Sequence, residues 1–481
     1  MPRLLLYEIN TRCWLRQLSR RCGREIQLGN VPDSEFDSWR KIGVTHLWLM
    51  GVWSTGPKSR QAFLDLPDAE SRLRTALPDW APPDVVGSPY AISSYSVPEV
   101  LGGETGLQRF RTTLNERGIK LILDFVPNHL GLDHPWLSER PEFFVQGTQP
   151  APGLFPVGET SEQRWLAHGK DPYFPAWVDT AQLDLRLAST QEAVVADLRR
   201  ISERCDGVRC DMAMLALSDV FESTWRHLPP HGPRARTEFW IRAITAVHRE
   251  EFQFIAEAYW DLEPRLLDLG FNFVYDKRVT DFIVNQQWGN LRRHLANRDE
   301  NVLRRSIHFL ENHDEPRIAS QLTLERHALA AFLMSALPGM WLVFDGQLQG
   351  AALHAPVQLA RTPDEAIVPP IATMYEKLLA AFQSKCAGHS TSQLIQSDPI
   401  IAVHWELSED NHVLALINGE DAEHQTSIEL PFPPKSGDAW SLNVVLIGPS
   451  GRTTQSELDK GSIKTLLPPE SFELIAFCRI K

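Results

Sequence analysis

The sequence predicts an α/β chain: a (β/α)8 TIM barrel followed by a C-terminal antiparallel β-sandwich domain. Three observations predict it. Eight short apolar runs are spaced along the first 385 residues, amphipathic helical stretches separate them, and the last hundred residues switch to strict alternation. With 481 residues, the chain can hold a barrel of roughly 250 residues or more and one further domain. The barrel is assigned to residues 1–385 and the second domain to 386–481.

The predicted barrel strands are Leu4–Ile9, His46–Met50, Leu121–Val126, Gly207–Asp211, Phe252–Glu257, Phe271–Val274, Ser306–Glu311 and Met340–Phe344. Each is too short for a helix and rich in Val, Ile, Leu and Phe, as strands buried on both faces must be. Helical patterns follow at Gly106–Arg117, Thr190–Arg204 (with Ser189 and Thr190 as cap candidates), Glu238–Glu250, Thr280–Ala296, Leu324–Ser335 and Ile371–Gln383. Eight β-then-α units point to a closed parallel barrel. Two connections are long: about 54–100, rich in Pro, Ser and Gly, and an insert at about 130–180 after the third strand carrying Trp136, Trp165 and Trp177. Both follow barrel strands and so project from the C-terminal face, where barrel active sites lie. Beyond residue 386, Ile400–Trp405, Val413–Ile417, Ser427–Leu430, Ser441–Ile447 and Leu474–Cys478 alternate. They are punctuated by Asn418–Gly419, Pro431–Pro434 and Pro449–Gly451, the pattern of a sandwich.

The net charge of −13 argues against a nucleic-acid or anionic-membrane partner, since both need a basic face. It suits a neutral substrate such as a sugar. The 15 Trp fit the same reading, because aromatic rings stack on the C–H faces of sugars, although core packing accounts for most of them. The six cysteines form no CxxC and stand at no zinc spacing, so they read as free buried thiols. MPRLLLYEIN lacks a charged-then-apolar leader, and no apolar run approaches the roughly 20 residues of a membrane span. The expectation is a soluble cytoplasmic protein.

Four polar clusters close predicted strands. Asp124-Phe125-Val126-Pro127-Asn128-His129 closes the third and Gly207-Val208-Arg209-Cys210-Asp211 the fourth. Phe254-Ile255-Ala256-Glu257-Ala258-Tyr259-Trp260 closes the fifth and Glu311-Asn312-His313-Asp314-Glu315 the seventh. Alternation puts Arg209 and Asp211 on one side of their strand, and a guanidinium beside Asp211 is expected to lower its pKa and keep it ionised as a nucleophile. Apolar neighbours are expected to raise the pKa of Glu257, as a general acid requires. Taken singly, the clusters also read, in order, as a helix or loop cap, a structural Arg–Asp pair, a Glu at a strand exit facing water and a solvated acidic loop. Taken together, they bring carboxylates from the fourth, fifth and seventh strands to one barrel mouth, and two carboxylates in opposite environments are the equipment of glycosyl transfer.

The four clusters, in this order, resemble the signature regions of the α-amylase family, glycoside hydrolase family 13. Gly87-Ser88-Pro89-Tyr90-Ala91-Ile92-Ser93-Ser94-Tyr95, Gln182-Leu183-Asp184-Leu185 and Phe344–Gly350 are similar to further family segments. The resemblance implies Asp211 as nucleophile, Glu257 as acid/base and Asp314 as transition-state stabiliser. It implies that Arg209 orients Asp211, that Tyr90 stacks on the donor glucose, and that Asp124, His129 and His313 bind donor hydroxyls. Asn128 aligns with a calcium ligand of some members, but no acidic partner set accompanies it, and neither a metal nor any other cofactor is expected. One departure bears on specificity. Many starch-degrading members carry Lys-His three and four residues after the nucleophile, where this chain has Met214 and Leu215. The expected activity is that of a retaining α-glucoside hydrolase or transglycosylase on short oligosaccharides. The alternatives are a glucosyl- or maltosyltransferase, a phosphorylase or a trehalose-type isomerase of the same family, and a non-catalytic barrel that binds without turnover.

Overall fold

The computed structural model of the chain describes residues 3–159, 163–386, 391–395, 398–432, 439–448, 455–459 and 461–480. Eight parallel strands close into a barrel in sequence order. They are β1 (Leu4–Asn10), β2 (His46–Met50), β3 (Lys120–Phe125), β4 (Gly207–Cys210), β5 (Gln253–Ala256), β6 (Phe273–Tyr275), β7 (Ser306–Phe309) and β8 (Met340–Phe344). β1 pairs with both β2 and β8, so the sheet has no edge. Alternation sorts the side chains. Leu6, Trp48, Ile122, Ile255 and Ile307 fill the barrel interior, while Leu47, Leu49, Leu121 and Leu123 face the surrounding helices. Both faces are apolar, which is why these strands read as continuous hydrophobic runs.

The helices depart from the sequence reading in instructive ways. The stretch 54–100, expected to be irregular, contains helices Pro57–Leu64 and Ala69–Ala76. The first starts with Pro after Gly56, and its free Lys58 and Ser59 N–H groups donate to the Asp133 carboxylate. That cap comes from the β3 loop, 75 and 74 residues away, and no local signal announces it. The helix expected to begin after Ser189–Thr190 begins at Ala188, and Thr190 Oγ1 instead donates to Phe143 O at 3.3 Å. The single helix expected over 280–296 is two, Lys277–Val284 and Trp288–Asn297, broken where Gln286 turns left-handed at φ 56°. The helix expected over 238–250 ends at Thr245. The 130–180 insert carries short antiparallel pieces. His129–Gly131 pairs with Thr180–Gln182, and Gln146–Gly147, Leu154–Val157 and Arg164–Ala167 form a small sheet.

Among the described residues eight further strands follow: β9 (Thr391–Ile395), β10 (Ile401–Ser408), β11 (Asn411–Asn418), β12 (His424–Glu429), β13 (Ala439–Ile447), β14 (Gln455–Asp459), β15 (Ser462–Leu467) and β16 (Ser471–Ile480). They form two antiparallel sheets, β9-β10-β11-β16-β13 and β12-β15-β14. Leu414, Leu416 and Ile475 of the first meet Ile428, Ile463 and Leu467 of the second, making the sandwich core. β9, β14 and β15 were not anticipated, and the turn candidates at 433–434 and 449–451 lie outside the described residues. The sandwich docks on the helix Leu324–Ala336, whose residues from His327 onward are all buried. Phe332 stacks on Phe472 at 4.1 Å, and Trp405 Nε1 donates to Ala336 O at 3.0 Å. A helix apolar all round has to be covered on both sides, here by the barrel and the sandwich.

Candidate active site

The alternation that fills the barrel with apolar side chains continues one step toward the C-terminal ends and turns polar. Glu8 follows Leu6 on β1, Asp124 follows Ile122 on β3, and Glu257 follows Ile255 at the end of β5. Arg209 of β4 lies in the same layer with none of its surface exposed. β4 and β5 each end one residue before their carboxylate. Asp211 N donates to Phe125 O at 2.9 Å and Glu257 N to Cys210 O at 3.1 Å, so the neighbouring strand fixes each backbone.

Arg209 joins the two carboxylates. Its Nη1 donates to Asp211 Oδ1 at 2.7 Å, and its Nη2 approaches Glu257 Oε2 at 2.8 Å, off the hydrogen-bond axis. Nε reaches Tyr275 Oη at 3.3 Å. The rings of Trp48, Tyr90 and Tyr275 lie 5.0, 5.3 and 5.7 Å from the guanidinium carbon, within cation–π range. Glu257 accepts two hydrogen bonds, from Met212 N at 2.7 Å and Tyr259 Oη at 2.9 Å. The first exists because Met212 is held left-handed, at φ 42°, a conformation that costs a non-glycine residue about 1–2 kcal/mol.

Burial dominates the protonation of the pair. It pushes the Glu257 carboxyl up to about 6 against the pull of Arg209, as a general acid needs. For Asp211 the expected lowering is corrected. Burial lifts its carboxyl above the ordinary carboxylate range, and the charge and hydrogen bond of Arg209 only partly offset this. One guanidinium shared between two desolvated carboxylates does not fully compensate either.

Asp314 stands on the open side, with 51% of its side chain exposed. Desolvation in the cleft opposes its ionisation, but the charge and hydrogen bond of His313, with Arg209 beyond, hold it below the usual carboxylate range. His313 Nε2 lies 3.1 Å from Asp314 Oδ2 and 2.7 Å from Tyr90 Oη, and its Nδ1 lies 2.5 Å from Glu8 Oε1. Tyr90, expected to present its face to a sugar, stacks on His313 with ring centroids 5.3 Å apart.

Asp124 is fully buried. Its oxygens accept from Trp48 Nε1 and Gly51 N, both at 3.0 Å, and it thereby pins the turn that leaves β2. Gly51 is left-handed at φ 75°, and a Cβ there would meet Pro89 at 2.9 Å. Burial pushes the Asp124 carboxyl up to about 7. His129 is kept neutral by desolvation, with its pKa brought down to about 3, and its ring packs on Trp177 at 5.0 Å.

The residues at the aligned calcium position do not fit a cation. Gln182 Nε2, a donor, lies 2.7 Å from Asn128 O and 3.0 Å from Asn128 Oδ1, and calcium is held by oxygen ligands. Among the described residues no group of three or more His, Cys, Asp or Glu could hold a metal ion. Met214 and Leu215 are both buried, and their apolar side chains offer no hydrogen bond.

Sequence reasoning missed several residues around the cleft. Glu8 was signalled by a charge at an inward position of β1. Tyr259 lies two residues from Glu257. His354 Nε2, in the loop after β8, donates to His313 O at 2.9 Å. Tyr173 and Phe174 are each 69% exposed, and their backbone N–H groups are held by the Asp171 carboxylate at 2.6 and 2.9 Å. Tyr173 meets Trp260 edge to face at 5.0 Å. Trp260 and Asp261 are consecutive left-handed residues, at φ 66° and 61°. Tyr173 and Trp260 thus form an aromatic pair at this end of the barrel, with exposed Phe174 next to Tyr173 in the chain. Of the three Trp of the insert, Trp136 packs on Phe143, Trp177 on His129, and Trp165 is half-buried on the short strand Arg164–Ala167.

A parallel barrel whose C-terminal mouth holds two carboxylates on one buried arginine, with a third carboxylate opposite, is an enzyme of glycosidic bonds. The chain belongs to the α-amylase family: the family model described as "Alpha amylase, catalytic domain" matches residues 34–377. Alpha-amylase 3 of Dictyoglomus thermophilum is 21% identical over 382 residues, covering 75% of this chain and 66% of that protein. The trehalose-6-phosphate hydrolase of Escherichia coli is 25% identical over 299 residues, 53% of each chain. The chain thus spans less than two thirds of the length of these relatives. The crystal structure of a noncanonic maltogenic alpha-amylase, AmyB from Thermotoga neapolitana, has the same fold, with a TM-score of 0.68 at 17% identity, covering 99% of this chain and 98% of that one. Among the described residues no helix is long and apolar enough to cross a membrane.

Proposed function

We propose that the chain is a retaining α-glucoside enzyme acting on short oligosaccharides by double displacement. The observation that carries the reading is Arg209 bridging Asp211 and Glu257. A shared guanidinium favours the spacing of about 5–5.5 Å that a retaining pair needs over the wider gap of an inverting one. Asp211 attacks the anomeric carbon while Glu257 gives its proton to the glycosidic oxygen, and the leaving sugar departs as an alcohol. The Glu257 carboxylate then takes a proton from water or a sugar hydroxyl, whose oxygen displaces Asp211 from the anomeric carbon. Asp314, ionised and open to the cleft, faces the positive charge that develops on the sugar ring.

The preference for short substrates rests on the acceptor side. With Met214 and Leu215 buried, their segment supplies no hydrogen bond to a long acceptor chain. Tyr173, Phe174 and Trp260 supply a stacking face for one or two sugar rings. The same rim favours a second reading, transfer to a sugar acceptor, because a stacked acceptor excludes water from the glycosyl-enzyme. The deciding experiment offers maltose, maltotriose, maltohexaose, trehalose, sucrose and soluble starch, with and without phosphate, and reads products by chromatography and proton NMR. An α-anomer as first product and faster cleavage per bond of di- to tetrasaccharides are expected. A β-anomer overturns double displacement, and faster cleavage of starch overturns the short-substrate preference.

A further inference from the structure

We propose that Glu8 is a positioning residue that holds His313 as an imidazolium, so that Nε2 stays a charged donor at the floor of the donor pocket. Glu8 is fully buried on β1, and its Oε1 lies 2.5 Å from His313 Nδ1. Its other oxygen, Oε2, is buried with no hydrogen-bond partner. An ionisable group left half-satisfied in a core is costly and calls for a role. The geometry around His313 supplies one, since a carboxylate stands at each end of the ring: Glu8 at Nδ1 and Asp314 at Nε2. A ring protonated only at Nε2 would set the Nδ1 lone pair against Glu8 at 2.5 Å, one protonated only at Nδ1 would set the Nε2 lone pair 3.1 Å from Asp314, and only the doubly protonated ring presents a proton toward both, the contact with Asp314 being an ion pair. In that state Tyr90 Oη, 2.7 Å from Nε2, is an acceptor.

The neighbouring elements contribute to this balance, and Tyr275 of β6 and Glu311 beyond β7 face Glu8 itself. β2 presents the neutral edge of Trp48, the loop after β2 the face of Tyr90, and the loop after β8 the His354 ring at the His313 carbonyl. Asp124 of β3 and Asp211 beyond β4 add negative charge, and Arg209 opposes them. Burial alone would make the ring neutral, but Asp314 and Glu8 outweigh it and raise its pKa well above the ordinary histidine value. The loss of Glu8 is therefore felt at His313 and, through it, at Asp314, whose low pKa depends on the imidazolium.

The test begins on the unaltered protein. Ring-nitrogen NMR of histidine-labelled protein, with His313 assigned by His313→Asn, should show both nitrogens protonated from pH 5 to 8. A neutral His313 at pH 7 overturns the proposal. Glu8→Gln keeps the acceptor and removes the charge, and should make His313 titrate within that window. It should also lower kcat/KM about tenfold and add a new limb to its pH profile. An unmoved His313 titration in folded Glu8→Gln overturns it equally, and if that variant does not fold, Glu8→Asp, which keeps the charge, supplies the comparison. The activity arm rests on the α-glucoside reading. A protein inert on every glucoside but with a doubly protonated His313 would break that reading and leave the assignment of Glu8 standing.

Discussion

Arg209 and Tyr173 sit at the same end of the barrel, one with no exposed surface and the other 69% exposed. The floor of the cleft is charged, desolvated and carried on strand ends. Its side chains are held by neighbouring strands and by each other, from Glu8 through His313 to Asp314 and from Arg209 to Asp211 and Glu257. The rim is aromatic, open and carried on loops, held by one carboxylate under Tyr173 and Phe174 and by two left-handed residues at Trp260 and Asp261. The difference teaches where chemistry and choice of substrate reside. Charge acts strongly only out of water, so catalysis needs the rigid buried layer. A stacking face gains from being wet and adjustable, so specificity is left to loops.

Breaking the floor should have the largest effect. Asp211→Asn keeps the shape of the side chain and removes the nucleophile, and kcat should fall by at least about a thousandfold with an unchanged circular dichroism spectrum. More than a few per cent of residual activity sinks its role. Arg209→Lys replaces a fork with a point charge that cannot serve both carboxylates. A loss of about a hundredfold in kcat is expected, with KM little changed. If a comparable loss in kcat/KM comes from KM alone, Arg209 binds substrate rather than ordering the pair.

The pH profile separates the two carboxylates. Glu257 acts as the acid, so kcat/KM should fall as pH rises through its pKa of about 6, and fall again on the acid side where Asp211, itself raised by burial, takes up a proton. Glu257→Gln should abolish that alkaline limb along with most of the activity on unactivated substrates. An alkaline limb that persists unshifted in the residual rate belongs to another group.

At the rim the effects should be small. Trp260→Ala or Tyr173→Ala removes one ring of a pair contributing about 0.5–1.5 kcal/mol, and KM for maltotriose should rise about two- to tenfold with kcat nearly constant. A fall in kcat on the scale of the Arg209 variant would mean that the rim shapes the floor, and the division between the two would not hold.

How much of this was legible follows the same line. Asp211, Glu257 and Asp314 close predicted strands, and Arg209 two residues before Asp211 has to share its side of the strand. Glu8 was equally readable, two residues after the inward Leu6 and just ahead of Asn10-Thr11-Arg12 at the end of the first predicted strand. His354 and Tyr173 carried no local signal. His354 reaches His313 across 41 residues, and Tyr173 reaches Trp260 across the gap between two loops.

By itself, the sequence determined the barrel, the sandwich behind it and the order of the carboxylates around the mouth. Strand and helix periods and the ends of apolar runs are local properties, readable in any stretch of a few residues. Only the tertiary structure decided the states of those groups. Asp211 is lifted in pKa rather than lowered because desolvation, which no spacing encodes, outweighs the one arginine it shares with Glu257. It likewise buried Met214 and Leu215, capped the Pro57 helix from a loop 75 residues on, and set Glu8 against His313 across 305 residues. Burial and long-range contact belong to the packed chain as a whole, and they set the charge of each group at the site.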